Sequence, residues 1–344
     1  MNLVPLVLMV LGVAPLDPFL FPVRSQVIGP STRPDVREVG HLRWSGGLAL
    51  SSDDDRFGGL SGGVMGLGSE PTVGLFVSDC GYFVLLRPAR TADDTLEGIA
   101  HARIAPIRDV DRRPLGPPKG QRRTKCAHDS DAEELARLPD GRLVVPLEQS
   151  ARLLVFPAPS SFDALAVARP IELRDHPKGL SARGDNHGIE ALAVLRDGRL
   201  LAISEGAMTP EKALLAATFT LEPTQPPTRL AWPVDGPYRP SAAAVSDVGD
   251  LYVLERRFTA WPGESRPSVR VAVRRVAAAT LAAGKLAPTE TLAVFEGDLT
   301  RDNAEAILLR RDLAGRLVLG LVSDDNYAAN GPQRTLWQEL TTVR

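Results

Sequence analysis

Eight carboxylates stand at matching points of a repeated sequence pattern, and together they offer the chemistry of hard oxygen donors. The clearest copies are EELARLPDGRLVVPLE, residues 133–148, and EALAVLRDGRLLAISE, residues 190–205. Each carries a glutamate at both ends: Glu133 and Glu148 in the first, Glu190 and Glu205 in the second. Weaker copies bring in Glu255 after RPSAAAVSDVGDLYVL, and Asn303, Asp324 and Asp325 around DNAEAILLRRDLAGRLVLGLVSDDNY. A fifth, diverged copy runs from FGGLSGG to LFVSDCG and carries Asp79. Oxygen ligands in this number suit Ca²⁺, which accepts about six to eight of them flexibly, better than zinc. The expected metal ligands are Asp79, Glu133, Glu148, Glu190, Glu205, Glu255, Asn303, Asp324 and Asp325. Glu190, Glu205 and the neighbouring His187 are the acid–base candidates. Arg256, Arg257 and Arg334, whose guanidinium forks match phosphate oxygens, are the substrate-binding candidates, with Asn186 and Asn326.

These groups need hairpins to hold them. Asp140-Gly141 and Asp197-Gly198 read as two-residue turns, and such turns set the register of both strands. On that register Glu133 faces Glu148 and Glu190 faces Glu205 across the open ends. Like charges directly opposed in a sheet cost some tenths of a kcal/mol, so a cation is the simplest compensation. Longer turns in the later copies set Ser241 opposite Glu255, Asn303 opposite Asp324 and Asp302 opposite Asp325. In the fifth, diverged copy Ser61 and Asp79 are symmetric about Glu70.

Around the hairpins the chain reads as short runs of Leu, Val, Ala and Ile separated by Gly, Pro or Asp-Gly, the pattern of an all-β domain. The 30 Gly and 29 Pro recur throughout the 344 residues and disfavour long helices. Successive copies begin about 50 to 70 residues apart, the length of a four-stranded blade with loops. A β-propeller is therefore expected over residues 38–344. Five hairpins are visible, and a sixth blade is expected around residues 82–110, closed by the strand HLRWSGGLAL. A β-sandwich is the alternative, but it leaves the recurrence of polar residues at equivalent positions unexplained.

Forty Lys+Arg against 42 Asp+Glu give a net charge of −2, with 44% hydrophobic and 24% charged residues. That balance suits a soluble globular protein and gives no sign of nucleic-acid binding. No charged side chain precedes Asp17, and Pro5, Pro15 and Pro18 interrupt the apolar start. Residues 1–25 read as an export segment, with a small-residue cleavage point at Gly12-Val13-Ala14, and not as a membrane span. The expected location is periplasmic or secreted, the expected state a monomer. Cys80 and Cys126 allow one bridge in an oxidising compartment.

Other groups carry weaker signals. Gly59-Leu60-Ser61-Gly62-Gly63 matches a nucleophile elbow in letters but lacks the following helix. His128 and His187 adjoin the acids, although a single histidine is more often a hydrogen-bonded structural residue. The loop DRRPLGPPKGQRRTKCAH holds Arg112, Arg113, Lys119, Arg122, Arg123 and Lys125 and reads as a solvated loop or a guide for anions.

The ordered set RFGGLSGG, VSDCG, DAEELARLPDGRLVVPLEQ, NHGIEALAVLRDGRLLAISE, LERRF, DNAEAI, VSDDNY and QRT resembles the phytase-like domain family, described by esterase-like activity of phytase. The likeness spans roughly residues 40–340. It implies a propeller, mostly exported, that hydrolyses a phosphate or other ester. Ser241 stands where the family pattern leads one to expect Asp, and Ser150 where His is common. The implied function is a metal-dependent hydrolase of small anionic esters. The alternatives are a lactonase-like carboxylic ester hydrolase and a non-catalytic, ligand-binding propeller with a structural metal.

Overall fold

Runs of apolar residues too short for helices, each ended by a turn, pair here into successive antiparallel sheets. The computed structural model describes residues 17–30, 37–121, 130–181, 187–222, 224–259, 268–295, 302–327 and 333–343. Strands β1 (Arg24–Val27), β2 (Glu38–Val39) and β3 (Leu42–Ser51) precede the first blade. Blade 1 consists of β4 (Leu60–Leu67), β5 (Glu70–Ser78), β6 (Tyr82–Arg90) and β7 (Leu96–Pro106). Blade 2 consists of β8 (Ala136–Arg137), β9 (Leu143–Leu147), β10 (Arg152–Phe156) and β11 (Glu172–Asp175). Blade 3 is β12 (Ile189–Val194), β13 (Leu200–Met208), β14 (Leu214–Phe219) and β15 (Thr228–Trp232). Blade 4 is β16 (Arg239–Val245), β17 (Leu251–Thr259), β18 (Ser268–Val276) and β19 (Glu290–Phe295). Blade 5 contains β20 (Ala304–Arg311), β21 (Leu317–Ser323) and β22 (Thr335–Thr342), with β3 as its fourth strand.

The described residues thus form a five-bladed propeller, not the six-bladed one expected. Residues 82–106, assigned above to a sixth blade, are the two outer strands of blade 1. HLRWSGGLAL does close the ring, but as the outer strand of blade 5, with Trp337 opposite Leu48. Inner strands β4, β8, β12, β16 and β20 each touch the next, and β20 returns to β4. Five apolar clusters fill the gaps between neighbouring blades. This is why β9 is buried along its whole length: Leu143, Val145 and Leu147 face blade 1 while Val144 faces blade 3.

The inner hairpins of blades 2 to 5 share one turn, one residue longer than expected in blades 2 and 3, centred on Val248 as expected in blade 4, and one residue shorter than expected in blade 5. Gly141, Gly198, Gly249 and Gly315 each donate to the carbonyl three residues back, at 2.9 Å, and each has φ between +75° and +95°. That is a three-residue loop with glycine in the left-handed position. In blades 2 and 3 it moves the register by one, and a β-bulge near the other end of every inner strand moves it again; in blade 5 the two shifts cancel, and Asn303 faces Asp324 as expected. Glu148 consequently stands opposite Asp131, and Glu205 opposite Gly188. Pro240, not Ser241, faces Glu255.

Part of the expected export segment belongs to the folded body. Asp17 pairs with Arg103 at 2.8 Å, and Phe21 is buried between blades 5 and 1. Residues 1–16 lie outside the described residues. Cys80 is disulfide-bonded, and Cys126 lies outside the described residues. Among the described residues no helix is long and apolar enough to cross a membrane.

Candidate active site on the acidic face

On the face away from the hairpin turns, one position recurs in every blade. The backbone N–H groups of Asp79, Glu148, Glu205 and Asp324 donate to the carbonyls of Gly59, Asp131, Gly188 and Asn303 at 2.8–3.0 Å. In blade 4 the same register step pairs Arg256 with Arg239. The equivalent position therefore reads Asp79, Glu148, Glu205, Arg256 and Asp324 around the ring, four acids and one guanidinium.

The bulges bring a second set of acids to the same level. A bulge re-aims the side chain of its extra residue, and Glu190 and Glu305 occupy that place in blades 3 and 5. One carboxylate oxygen each from Asp131, Glu133 and Glu148 lies within 4.8 Å of the others, and the same holds for Glu148, Glu190 and Glu205. Glu148 belongs to both groups. Arg256 answers part of this charge: it pairs with Glu305, donates to Asn303 Oδ1 at 3.1 Å, and lies 3.8 Å from Glu190 and 3.6 Å from Glu205.

The remaining charge shows in the acids' proton affinity. Burial, then repulsion from Glu190 and Asp131, raises Glu133 well above the usual carboxylate range. Burial raises Glu190 despite Arg256, and it shares a hydrogen bond with Glu148. Burial pushes Glu148 and Asp324 up to about 7 each. Asp79 is raised by burial and by Asp324, Asp131 and Asp325, and its buried Oδ1 has no hydrogen-bond partner. Glycines make room for these groups: a Cβ on Gly59 would lie 2.1 Å from Asp79 Oδ1.

Not every expected residue joins the centre. Glu255 leaves it, because the shifted register turns its side chain between blades 3 and 4. There it accepts from Trp232 Nε1 and Arg274 Nε, both at 2.8 Å. Asn303 is 2% exposed and engaged by Arg256 and Glu305. Asp325 accepts from Gly59 N and Tyr327 N and so shapes the rim. Asn326 donates to Gln333, and Arg334 lies 3.5 Å from Asp302 with half of its side chain exposed. Arg257 follows Arg256 on β17 and therefore lies on the opposite face of the strand. His187 is exposed beside Glu205 in the pairing of blade 3, while Asn186 and His128 fall outside the described residues.

Ser61 lies within β4, buried, so the elbow geometry is absent. In the basic loop Arg113 pairs with Asp109 and Asp111, and Lys119 with Asp54 at 3.2 Å. The sequence reading missed Asp131, which the three-residue turn and the β-bulge together place opposite Glu148. It also missed Glu134, which enters the central channel and accepts backbone N–H groups of Gly63, Leu135 and Ala243. A Cβ on Gly62 would lie 2.2 Å from Glu134 Cα.

A five-bladed propeller with a cluster of carboxylates on the face away from its turns defines the class of protein. The chain belongs to the phytase-like family, described by esterase-like activity of phytase, which matches residues 55–327. No curated protein matches it. Similar solved structures include an endo-arabinase from Bacteroides thetaiotaomicron, at 13% identity over 84% of this chain and 95% of that one, with a TM-score of 0.45. An α-L-arabinanase from Cellvibrio cellulosa is similar at 10% identity over 83% and 92%, with a TM-score of 0.45. A gluconolactonase from Xanthomonas campestris is similar at 12% identity over 93% and 98%, with a TM-score of 0.42. None of these likenesses bears on the chemistry of this chain.

Proposed function

We propose that this chain is an exported, metal-dependent ester hydrolase acting on phosphate esters at the acidic face, with Ca²⁺ as its cation. The observation that carries this reading is the pair of carboxylate triads sharing Glu148, each within 4.8 Å. The donors fit a hard cation: all are oxygens, several are half-buried, and Asp79 contributes a buried oxygen without a partner. When bound, such a cation supplies neutralisation of an anionic ester and Lewis acidity. Asp131, Glu133, Glu148 and Glu190 would hold it.

The chain's own groups take the other roles. Arg334, half exposed at the rim, receives the phosphate, while Arg256 steadies Glu190 and Glu205. Glu205 is the less buried member of its triad, so it is the residue placed to accept a proton from attacking water, with His187 beside it. Export follows from the apolar start, whose cleavage point at Ala14 leaves Asp17 and its pairing with Arg103 intact.

The test is metal analysis of the purified protein together with a screen of phosphomonoesters and carboxylic esters before and after chelation. Bound calcium with phosphoesterase activity that chelation removes and Ca²⁺ restores is the expected result. Turnover indifferent to chelation would overturn the metal-dependent reading, and tight metal without turnover would favour a binding propeller.

A further inference from the structure

We propose that Ser181 and His176 form a nucleophile–base pair beside the acidic centre, acting on neutral carboxylic esters without a metal. The pair lies on the connection from β11 to β12, on the same face as the acids. Leu180, buried between blades 2 and 3, anchors that connection, and His176 N donates to Ala151 O at 2.9 Å. His176 is 6% exposed, with its Nδ1 2.5 Å from Ser181 Oγ and its Nε2 3.0 Å from the carbonyl of Arg152.

The partners fix the tautomer. A carbonyl oxygen only accepts, so Nε2 carries the hydrogen and Nδ1 presents its lone pair to the hydroxyl. Ser181 therefore donates to a neutral imidazole whose orientation is held from its far side, the arrangement that activates a serine. Burial favours that neutral form, pulling His176 down to about 4, so the base is unprotonated throughout the neutral range. It is correspondingly weak, which restricts the pair to esters with good leaving groups.

Ser181 is half-buried, and its hydroxyl borders the acids. Gly188, whose N–H binds Glu148 Oε1 at 2.9 Å, lies against it; a Cβ there would be 2.9 Å from Glu148 Cγ and 3.7 Å from Ser181 Oγ. A phosphate dianion would meet Glu148, Glu190 and Glu205 at this point, whereas an uncharged carboxylic ester would not be repelled. In the reaction Ser181 Oγ bonds to the acyl carbon while the C–O bond to the alcohol breaks. The hydroxyl proton passes to His176 Nδ1 and then to the departing alkoxide. Water next cleaves the acyl–Oγ bond, releases the acid and restores the serine.

The test is covalent capture, which needs neither the native substrate nor the cation. The full protein in EDTA is treated with an alkyl fluorophosphonate and followed by intact mass and peptide mapping, and p-nitrophenyl acetate turnover is measured alongside. One adduct on Ser181 is expected, absent in Ser181→Ala, with labelling slowed about a hundredfold or more in His176→Gln. No adduct, an adduct elsewhere, or an unchanged rate in His176→Gln overturns the proposal. Because the adduct is mapped in the wild-type protein, the conclusion does not depend on how well either variant folds. Calcium-dependent phosphoesterase activity without labelling would overturn this pair and leave the metal-dependent reading standing. Labelling that persists after chelation supports the pair even where that reading fails.

Discussion

Replacing Glu190 by Gln separates a cation centre from an internally neutralised one. Glu190 is 4% exposed, sits in the bulge of β12, and shares a hydrogen bond with Glu148. Without metal it holds its proton, because burial and the neighbouring Glu205 and Glu148 raise its proton affinity. An amide N–H replaces that O–H at nearly constant volume, so the metal-free variant should melt within a degree or two of wild type. With metal the comparison changes, since the carboxylate loses its proton and contributes a charge that the amide lacks. One unit charge at about 4 Å is worth on the order of 4 kcal/mol at an effective dielectric near 20, about a thousandfold; the proton that Glu190 must give up offsets part of this, so the variant should bind about a hundredfold more weakly. At Ca²⁺ about 100 times its dissociation constant, ligand linkage stabilises wild type by about 2.7 kcal/mol. Unfolding entropy of about 2.1 cal/mol/K per residue gives roughly 0.7 kcal/mol/K for the 344-residue chain, hence a rise of about 4 °C. At the same Ca²⁺ the variant, bound about a hundredfold more weakly, should gain only about 0.4 kcal/mol, under about 1 °C. The assay is a thermal-shift titration after chelator treatment. Equal shifts in both proteins would remove Glu190 from the centre, and no shift in wild type would refute the calcium site.

Three further outcomes are expected. Glu148 and Asp324 bind protons more tightly folded than unfolded, each pushed up to about 7 first of all by burial. Their contribution is full below the ordinary carboxylate range and is lost as pH rises through about 7. Metal-free protein should therefore lose stability progressively from about pH 4.5 to about 7, offset in part below about pH 6.5 by His176, whose lowered proton affinity acts in the opposite sense; Glu148→Gln should reduce that loss in denaturant melts, and a loss unchanged in the variant would contradict it. Glu255→Gln should lower stability, since Glu255 receives Trp232 and Arg274 in the interior, yet leave the Ca²⁺-induced shift intact; loss of the shift would return Glu255 to the centre. Glu339, 3% exposed at its side chain, is gripped by Arg90 and Arg310 where β22 closes the ring, so Glu339→Ala should cost about 3–5 kcal/mol in urea melts, and a cost below about 1 kcal/mol would show the pair to be dispensable.

The repeats carry the propeller in their spacing, because every blade must bury both faces of its inner strands and end them in turns. What the spacing does not carry is the fourth strand of the last blade: β3 lies nearly 300 residues before its partner β22, and only ring closure joins them. In blades 2 and 3 the register failed by two residues, one from the bulge and one from the turn, and the turn's share has a local reason. Asp140-Gly141 looks like a two-residue turn, but Pro139 favours the second position of a type I turn, and a glycine two residues later completes the three-residue loop. That reading was available in the letters and would have placed Ala132 opposite Glu148, one step from the Asp131 that the bulge brings there. The bulges carry no such signal, so Glu255 looked like a ring acid while Arg256 held the ring position. His176 and Ser181 lie on a connection without periodicity and meet only through the packing of Leu180.

The single guanidinium in the ring decides where a cation is needed. Arg256 reaches Glu190, Glu205, Glu305 and Asn303, which come from blades 3 and 5, and so answers charge on its own side of the mouth. Among the described residues Asp79, Asp131, Glu133 and Glu148, from blades 1 and 2, have no ion-pair partner. Their hydrogen bonds run instead to neutral groups and to other acids: a backbone N–H and Glu190 for Glu148, the Gln149 amide and Glu133 for Asp131, and the Cys80 backbone for Asp79. Uncompensated charge is therefore displaced toward blades 1 and 2, and Glu148, common to both triads, stands at the border between the two halves. A cation drawn to that half would leave Arg256 free of competition and facing the same opening. One site would then combine a replaceable cation with a permanent one, a pairing suited to an anionic ester that must be held at one end and attacked at the other.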